Sequence, residues 1–112
     1  MEQIHFNNTV LKQTLSALML RNRVTSMNIA NIETPGYTRK QVEFEESLAQ
    51  ALRDSRAQGS AASIDVSVTE SDVKPILEEE LLMLADTQAR AHLLLRDIRH
   101  RFSMMQSAIR AR

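Results

Sequence analysis

Hydrophobic residues recur at alternating steps of four and three through the last third of the chain. The series runs Leu77, Leu81, Leu84, Gln88, Ala91, Leu95, Ile98, Phe102, Met105 and Ile109, with Gln88 its single polar member. A heptad seam of this length predicts a helix over 75–112 that packs lengthwise on another helix. At 1.5 Å per residue it would run roughly 50 Å. Pro75 suits the first turn, where its missing N–H costs nothing. Glu78, Glu79 and Glu80 read as a solvated acidic first turn. Arg90, Arg96, Arg99, Arg101, Arg110 and Arg112 follow, against the one acid Asp97, in the order that the helix dipole favours. These arginines read as solvated flanks of a coiled coil, with an anionic partner as the alternative.

Residues 4–32 carry two adjacent stripes. One holds Ile4, Leu11, Leu15, Leu18, Ile29 and Ile32, interrupted by Asn8, Asn22 and Thr25. The other holds Phe6, Val10, Ala17, Leu20, Val24 and Met27, interrupted by Gln13. A single partner helix covers about one stripe, so the second requires a further neighbour. That requirement points to oligomerisation or incorporation into an assembly.

The intervening segment lacks a sustained helical pattern. Thr34-Pro35-Gly36-Tyr37 reads as a type II turn, with Pro35 presetting one dihedral and Gly36 supplying a positive φ. Phe44, Leu48 and Leu52 are spaced for a short helix. Residues 54–63, DSRAQGSAAS, are small and polar and are expected to be mobile. Ile64, Val66 and Val68 alternate with polar residues as in a short strand. The chain thus divides into an N-terminal helix, 1–33, a turn and variable middle segment, 34–74, and a C-terminal helix, 75–112.

Composition narrows the class. In 112 residues there are one Tyr, three Phe, no Trp, two Gly and two Pro, which disfavours sandwiches and barrels and leaves a mainly α chain. The formal net charge is zero, which removes the usual electrostatic case for nucleic acid or an anionic membrane. No apolar run approaches the roughly 20 residues of a membrane span. Cysteine is absent, so a disulfide scaffold, a thiolate metal site and a Cys nucleophile are excluded. The opening MEQIHFNNTV shows no basic start before an apolar block, and no cleaved secretory signal is expected.

Candidate chemistry is sparse. His5, His92 and His100 form no ligand motif with a partner carboxylate, and adjacent glutamates on a helix point to different faces. There is no glycine-rich phosphate loop and no nucleophile elbow. No metal, no cofactor and no enzymatic activity are therefore expected. The most specific local feature is Asn28-Ile29-Ala30-Asn31-Ile32-Glu33-Thr34-Pro35-Gly36-Tyr37. Asn28 and Asn31 share a helix face. They read either as amides serving orphan backbone groups at a helix end or as amides bonding across packed helices to fix register.

That segment resembles the N-terminal signature of bacterial flagellar axial proteins. Val42-x-Phe44 and Leu48 follow the turn as in the proximal rod members (FlgB-like, with the FlgC-like next). Glu79-Glu80-Leu81-x-x-Leu84-Ala85-Asp86-x-Gln88-x-Arg90, Phe102 and Ser107-Ala108-Ile109 are similar to the C-terminal part. The match covers both ends of the chain.

The resemblance implies long N- and C-terminal helices pairing as an antiparallel coiled coil, with a partly disordered central segment. It implies a structural subunit of the flagellar basal-body rod, exported through the flagellar type III apparatus and transmitting motor torque across the periplasm. Expected partners are other copies of the chain, FlgC-like rod subunits and the FliE-like junction protein at the MS ring, with no nucleic acid and no membrane insertion. The expected assembly interface comprises Leu11, Leu15, Leu18, Met27, Asn28, Ile29, Asn31, Leu77, Leu81, Leu84, Gln88, Leu95, Ile98, Phe102, Met105 and Ile109. The turn Thr34–Tyr37 joins it. A soluble cytosolic helical adaptor or secretion chaperone is the alternative; it accounts for the heptads but gives Asn28–Tyr37 no purpose.

Overall fold

The computed structural model describes residues 2–58 and 63–111, and the side chains of 9–54 and 63–111. Expectations resting on the side chains of Ile4, His5, Phe6 and Asn8, on Arg112, and on mobility at 59–62 lie outside the described residues. The order of elements is α1 (Glu2–Ala30), β1 (Lys40–Glu43), α2 (Glu45–Gln58), β2 (Ser67–Glu70) and α3 (Leu77–Arg110). The fold is mainly helical. Two long helices, α1 and α3, pack against each other along a body 62 × 29 × 14 Å in extent.

Side-chain pairs fix how the helices meet. Asn28 contacts Glu80, and Gln88 Nε2 approaches Asn22 Oδ1 at 3.5 Å. Leu18 lies beside Leu94 in the same interface. The α1 face turned inward is Val10, Ala17, Leu18, Arg21, Val24, Thr25 and Asn28, spaced by three and four. Three of those seven are polar, and Arg21 and Asn28 among them matter below.

Ala17, Leu20 and Val24 of the second stripe of α1 are covered from within the chain, so that part needs no other subunit, while Met27 stays exposed. Val42 and Phe44 stand two apart on an extended segment, so both point the same way. They pack on Ala17, Leu18 and Val24 to form the buried core, with Leu20, Leu48, Ile64, Ala91 and Leu94 at its margin. Phe44 therefore precedes the short helix instead of belonging to it. Its carbonyl accepts the Leu48 N–H at 2.8 Å, and α2 begins at Glu45.

The middle segment is more ordered than its composition suggests. β1 and β2 pair antiparallel, with Val42 opposite Val68 and Lys40 opposite Glu70. Ser71 N–H to Arg39 O at 2.9 Å and Arg39 N–H to Val73 O at 2.8 Å extend the ribbon toward α3. The expected strand is displaced: Ile64 packs on the core, and β2 starts at Ser67 with all four residues exposed. The helix from Phe44 onward runs to Gln58, into the stretch read as mobile.

Two details of α3 also differ. Pro75 lies outside the helix, because Ile76 at φ −109° and ψ 124° is the N-cap. Pro75 is itself buried, just before the N-cap of α3. The acidic first turn is only partly solvated. Glu78 and Glu79 are exposed, but Glu80 has no exposed surface at all.

Candidate functional site

The turn after α1 has the expected form. Gly36 is at φ +78°, and Tyr37 N–H bonds Thr34 O at 3.2 Å, closing a four-residue turn. Asn31 ends the helix above it: Nδ2 donates to Met27 O at 2.9 Å, and Oδ1 accepts from the Thr34 hydroxyl at 3.0 Å. This is the end-capping role. The cross-helix role falls to Asn28, so both readings of the two asparagines hold, one for each.

Asn28 is 1% exposed and its amide is filled. Nδ2 donates to Lys40 O and to Glu80 Oε1, both at 2.7 Å. Oδ1 accepts from the Tyr37 hydroxyl at 2.9 Å and the Lys40 N–H at 3.1 Å. Two donors and two lone pairs are all that an amide side chain offers. One residue thereby ties the end of α1 to the turn, to β1 and to the first turn of α3.

Glu80 receives the second half of its pairing from Arg39, whose Nε donates to Oε2 at 2.7 Å. A buried carboxylate with both oxygens bonded is tolerated where a lone one is not. Among the described residues no buried side-chain polar atom lacks a partner. Tyr37 stays a donor to high pH: burial pushes its hydroxyl up from the usual 10.0, and the charges of Glu70 and Glu80 add to the shift.

Arg21 forms a second anchor. Its Nη1 and Nη2 donate to the two carboxylate oxygens of Glu45, at 2.6 and 2.7 Å, and Nη2 also donates to Val42 O at 2.7 Å. Its guanidinium lies 4.7 Å from the centre of the Phe44 ring. The Arg21 hydrogen bond, followed by its charge, holds the Glu45 carboxyl at about 2 despite some burial.

The bonds of Asn28 and Arg39 to Glu80 set the rotation of α3. Its inward column is Glu80, Thr87, Leu94 and Arg101, flanked by Leu84, Ala91 and Ile98. Thr87 is buried because its hydroxyl returns to Met83 O at 2.7 Å, leaving a small, effectively apolar surface. The heptad seam read from sequence thus meets α1 mainly along one of its two columns, Leu84, Ala91 and Ile98. The other column lies at the edge of that contact: Gln88 reaches Asn22 and Leu95 lines the groove, while Leu81 and Phe102 are exposed.

The expected assembly residues separate accordingly. Leu18 and Asn28 are buried, and Leu11, Leu15, Ile29, Asn31, Leu84, Leu95 and Ile98 are half-buried. Met27, Leu77, Leu81, Gln88, Phe102, Met105 and Ile109 are exposed, Phe102 at 61% and Ile109 at 68%. Thr34, Pro35 and Gly36 lie exposed at the surface of the turn, and Tyr37 is half-buried. Beside the seam, a groove of about 480 Å³ between α1 and α3 is lined by Leu18, Met19, Asn22, Ala91, His92 and Leu95. Arg21, Arg39 and Glu80 were missed. Helical spacing from Val10, Ala17, Val24 and Asn28 would have placed Arg21 inside; nothing local marks the other two.

Among the described residues no group of His, Asp and Glu could hold a metal ion. No described helix is long and apolar enough to cross a membrane. Neither a family model nor a curated protein matches the chain.

Proposed function

We propose that the chain is a structural subunit of the bacterial flagellar basal-body rod, in its proximal part, assembling through its terminal helices. The observation that carries this reading is the arrangement of α3: a column that holds Glu80, Thr87 and Arg101 is locked inward by Glu80, while Leu77, Leu81, Phe102, Met105 and Ile109 of the apolar seam stay exposed. A lone soluble domain would turn α3 the other way, because exposed apolar surface of this extent favours association. The Asn28–Tyr37 segment supports the same reading, since it stiffens the junction between helix, turn and ribbon.

In this reading the two helices run antiparallel and pair as a coiled coil, and neighbouring subunits cover the outer seam. Contacts that do not close on themselves build a helical tube. Interlocked helices supply the stiffness that torque transmission requires. Other copies, FlgC-like subunits and the FliE-like junction protein are the partners, reached through the flagellar type III export apparatus, and the periplasmic rod is the location.

The test is fractionation of a flagellated cell that carries a tagged copy. Copurification with detergent-washed basal bodies, and loss of the rod on deletion, is the expected result. A tagged chain found only in the soluble cytosolic fraction would instead favour the helical adaptor or secretion chaperone.

A further inference from the structure

The two flanks of the α1–α3 pair carry charge differently. On the flank toward α2 the charges are matched: Arg21 bonds Glu45, Arg90 bonds Asp86 and Arg101 bonds Asp97. Arg90 and Asp97 border a hollow there with Phe44 and Leu48. On the other flank runs the groove of about 480 Å³, where Arg23 and His92 stand beside Leu18, Met19, Ala91 and Leu95. Lys12, seven before Met19, and Arg99, seven after His92, continue the two rims in the same direction, as the contacts Asn28–Glu80 and Asn22–Gln88 require. Arg99 stands at the shoulder of α3, next to Arg96.

None of Lys12, Arg23, Arg96 and Arg99 has an ion-pair partner among the described residues. Residues 9–30 of α1 hold no acid. The acids of α3 beyond its first turn, Asp86 and Asp97, are those already paired on the other flank. The floor between the cationic rims is apolar. Leu11 and Leu15 extend it by helical spacing from Leu18, and both are half-buried, as is Leu95. α3 therefore covers this stripe of α1 in part only.

Unmatched cations along a groove draw an anionic partner. An apolar floor between two helices takes the ridge of a third. Phosphates of a lipid or a nucleic acid would meet the cations and leave that floor bare. The chain has no such helix to give: α1 lacks acids among its described side chains, and Asn28 and Arg39 hold the acidic first part of α3 from inside.

We propose that this groove takes an amphipathic helix of another protein, apolar along one stripe and acidic on both sides of it. Its ridge rests on Leu18, Met19, Ala91 and Leu95, and its carboxylates meet Lys12 and Arg23 on one rim, His92 and Arg99 on the other. The inference does not rest on the rod reading, since an adaptor or a chaperone can dock a helix in the same place.

Fluorescence anisotropy of a labelled synthetic peptide against the purified full chain tests it. The peptide has about three leucine–alanine heptads with glutamate on both flanks; a second peptide carries lysine in place of every glutamate. The glutamate peptide should bind saturably, one per chain, and the lysine peptide should not. Lys12→Glu combined with Arg23→Glu, both at exposed positions, should weaken binding about tenfold with unchanged circular dichroism. Site-directed coupling gives an answer that does not depend on that variant. The chain has no cysteine, so a maleimide on the glutamate peptide should couple to Ser26→Cys, in the groove. It should not couple to Leu82→Cys, at a residue 72% exposed on the far side of α3. No binding of the glutamate peptide, equal binding of both peptides, insensitivity to the double reversal, or coupling through Leu82→Cys in place of Ser26→Cys would each overturn the inference. Anionic lipid vesicles that displace the peptide would pass the cations to a membrane surface instead. A wild-type mass of twice 12.7 kDa with Ser26→Cys shielded would give the groove to a second copy. None of these outcomes bears on copurification with basal bodies, which tests the rod reading.

Discussion

Asn28 donates a hydrogen bond to Glu80 Oε1 at 2.7 Å across 52 positions of sequence, in a site closed to water. That bond and the Arg39–Glu80 pair determine which side of α3 is turned to α1. They therefore also determine which side is left for other molecules. Specificity of this kind, in which a buried polar contact fixes a helix register, is the best-attested use of such groups.

Replacing Asn28 by Ala removes both donors and both acceptors. Lys40, Tyr37 and Glu80 lose partners at once, and each buried unsatisfied group costs about 1–3 kcal/mol. Water can reach the half-buried Tyr37 and Lys40 but not Glu80. Urea unfolding of Asn28→Ala should show a loss of about 3 kcal/mol with an unchanged slope. A loss under about 0.5 kcal/mol, the range of ordinary surface substitutions, would show that the amide is dispensable.

The Arg39–Glu80 pair should behave asymmetrically. Arg39→Met alone leaves a buried carboxylate with one partner, at a cost of about 3 kcal/mol or more. Combining it with Glu80→Leu removes the charge that needed pairing, so the double variant should be more stable than Arg39→Met. A double-mutant cycle reads the coupling directly. Additive losses would mean that the two side chains do not act as a pair.

Acid should weaken the chain through Glu45. Its carboxyl is held at about 2 in the folded protein against an ordinary 4.5, so the unfolded chain binds the proton first. The stabilisation is fully present above about 4.5 and disappears as pH falls through about 2. Glu45→Gln should flatten that part of the stability–pH curve. At neutral pH it should cost about 1 kcal/mol, because the carboxylate is half exposed and screened by solvent. An acid limb of unchanged steepness in Glu45→Gln would assign the transition to other carboxylates.

At Gly36 the cost is in the backbone alone. A Cβ built there meets nothing within 4 Å, yet φ is +78°. Gly36→Ala should lower stability by about 1 kcal/mol and Gly36→Val by more, while Gly36→Asn should cost less, since Asn tolerates the left-handed region. Thermal unfolding of the three variants checks the order. If Val is tolerated as well as Asn, the turn has rearranged.

What could be read from sequence and what could not divides along a physical line. Pro35 and Gly36 specify their own dihedrals, so the turn was visible without its surroundings. Both long helices were visible because their spacing repeats many times. The rotation of α3 was not, because apolar residues fill neighbouring columns and periodicity cannot choose among them. Glu80 was misread as solvated because it differs from Glu78 and Glu79 only in the distant residues that meet it. Val42 and Phe44 were not recognised as the cover for α1, because two inward residues on a short extended segment leave little pattern.

Leu95 offers the sharpest separation between folding and assembly. It is half-buried at the edge of the groove, on the outer of the two seam columns. An aspartate there can reach water in a single copy. Once a second helix covers the seam it becomes an unpaired buried charge, which is strongly unfavourable. Leu95→Asp should therefore keep the helical circular dichroism of the wild type, lose at most about 1–2 kcal/mol of its stability, and fail to enter basal bodies. Leu82→Asp supplies the control: Leu82 is 72% exposed on the opposite side of α3, and the change should leave both folding and assembly intact. Motile cells carrying Leu95→Asp as the only copy would place the assembly contact on some other face of the molecule.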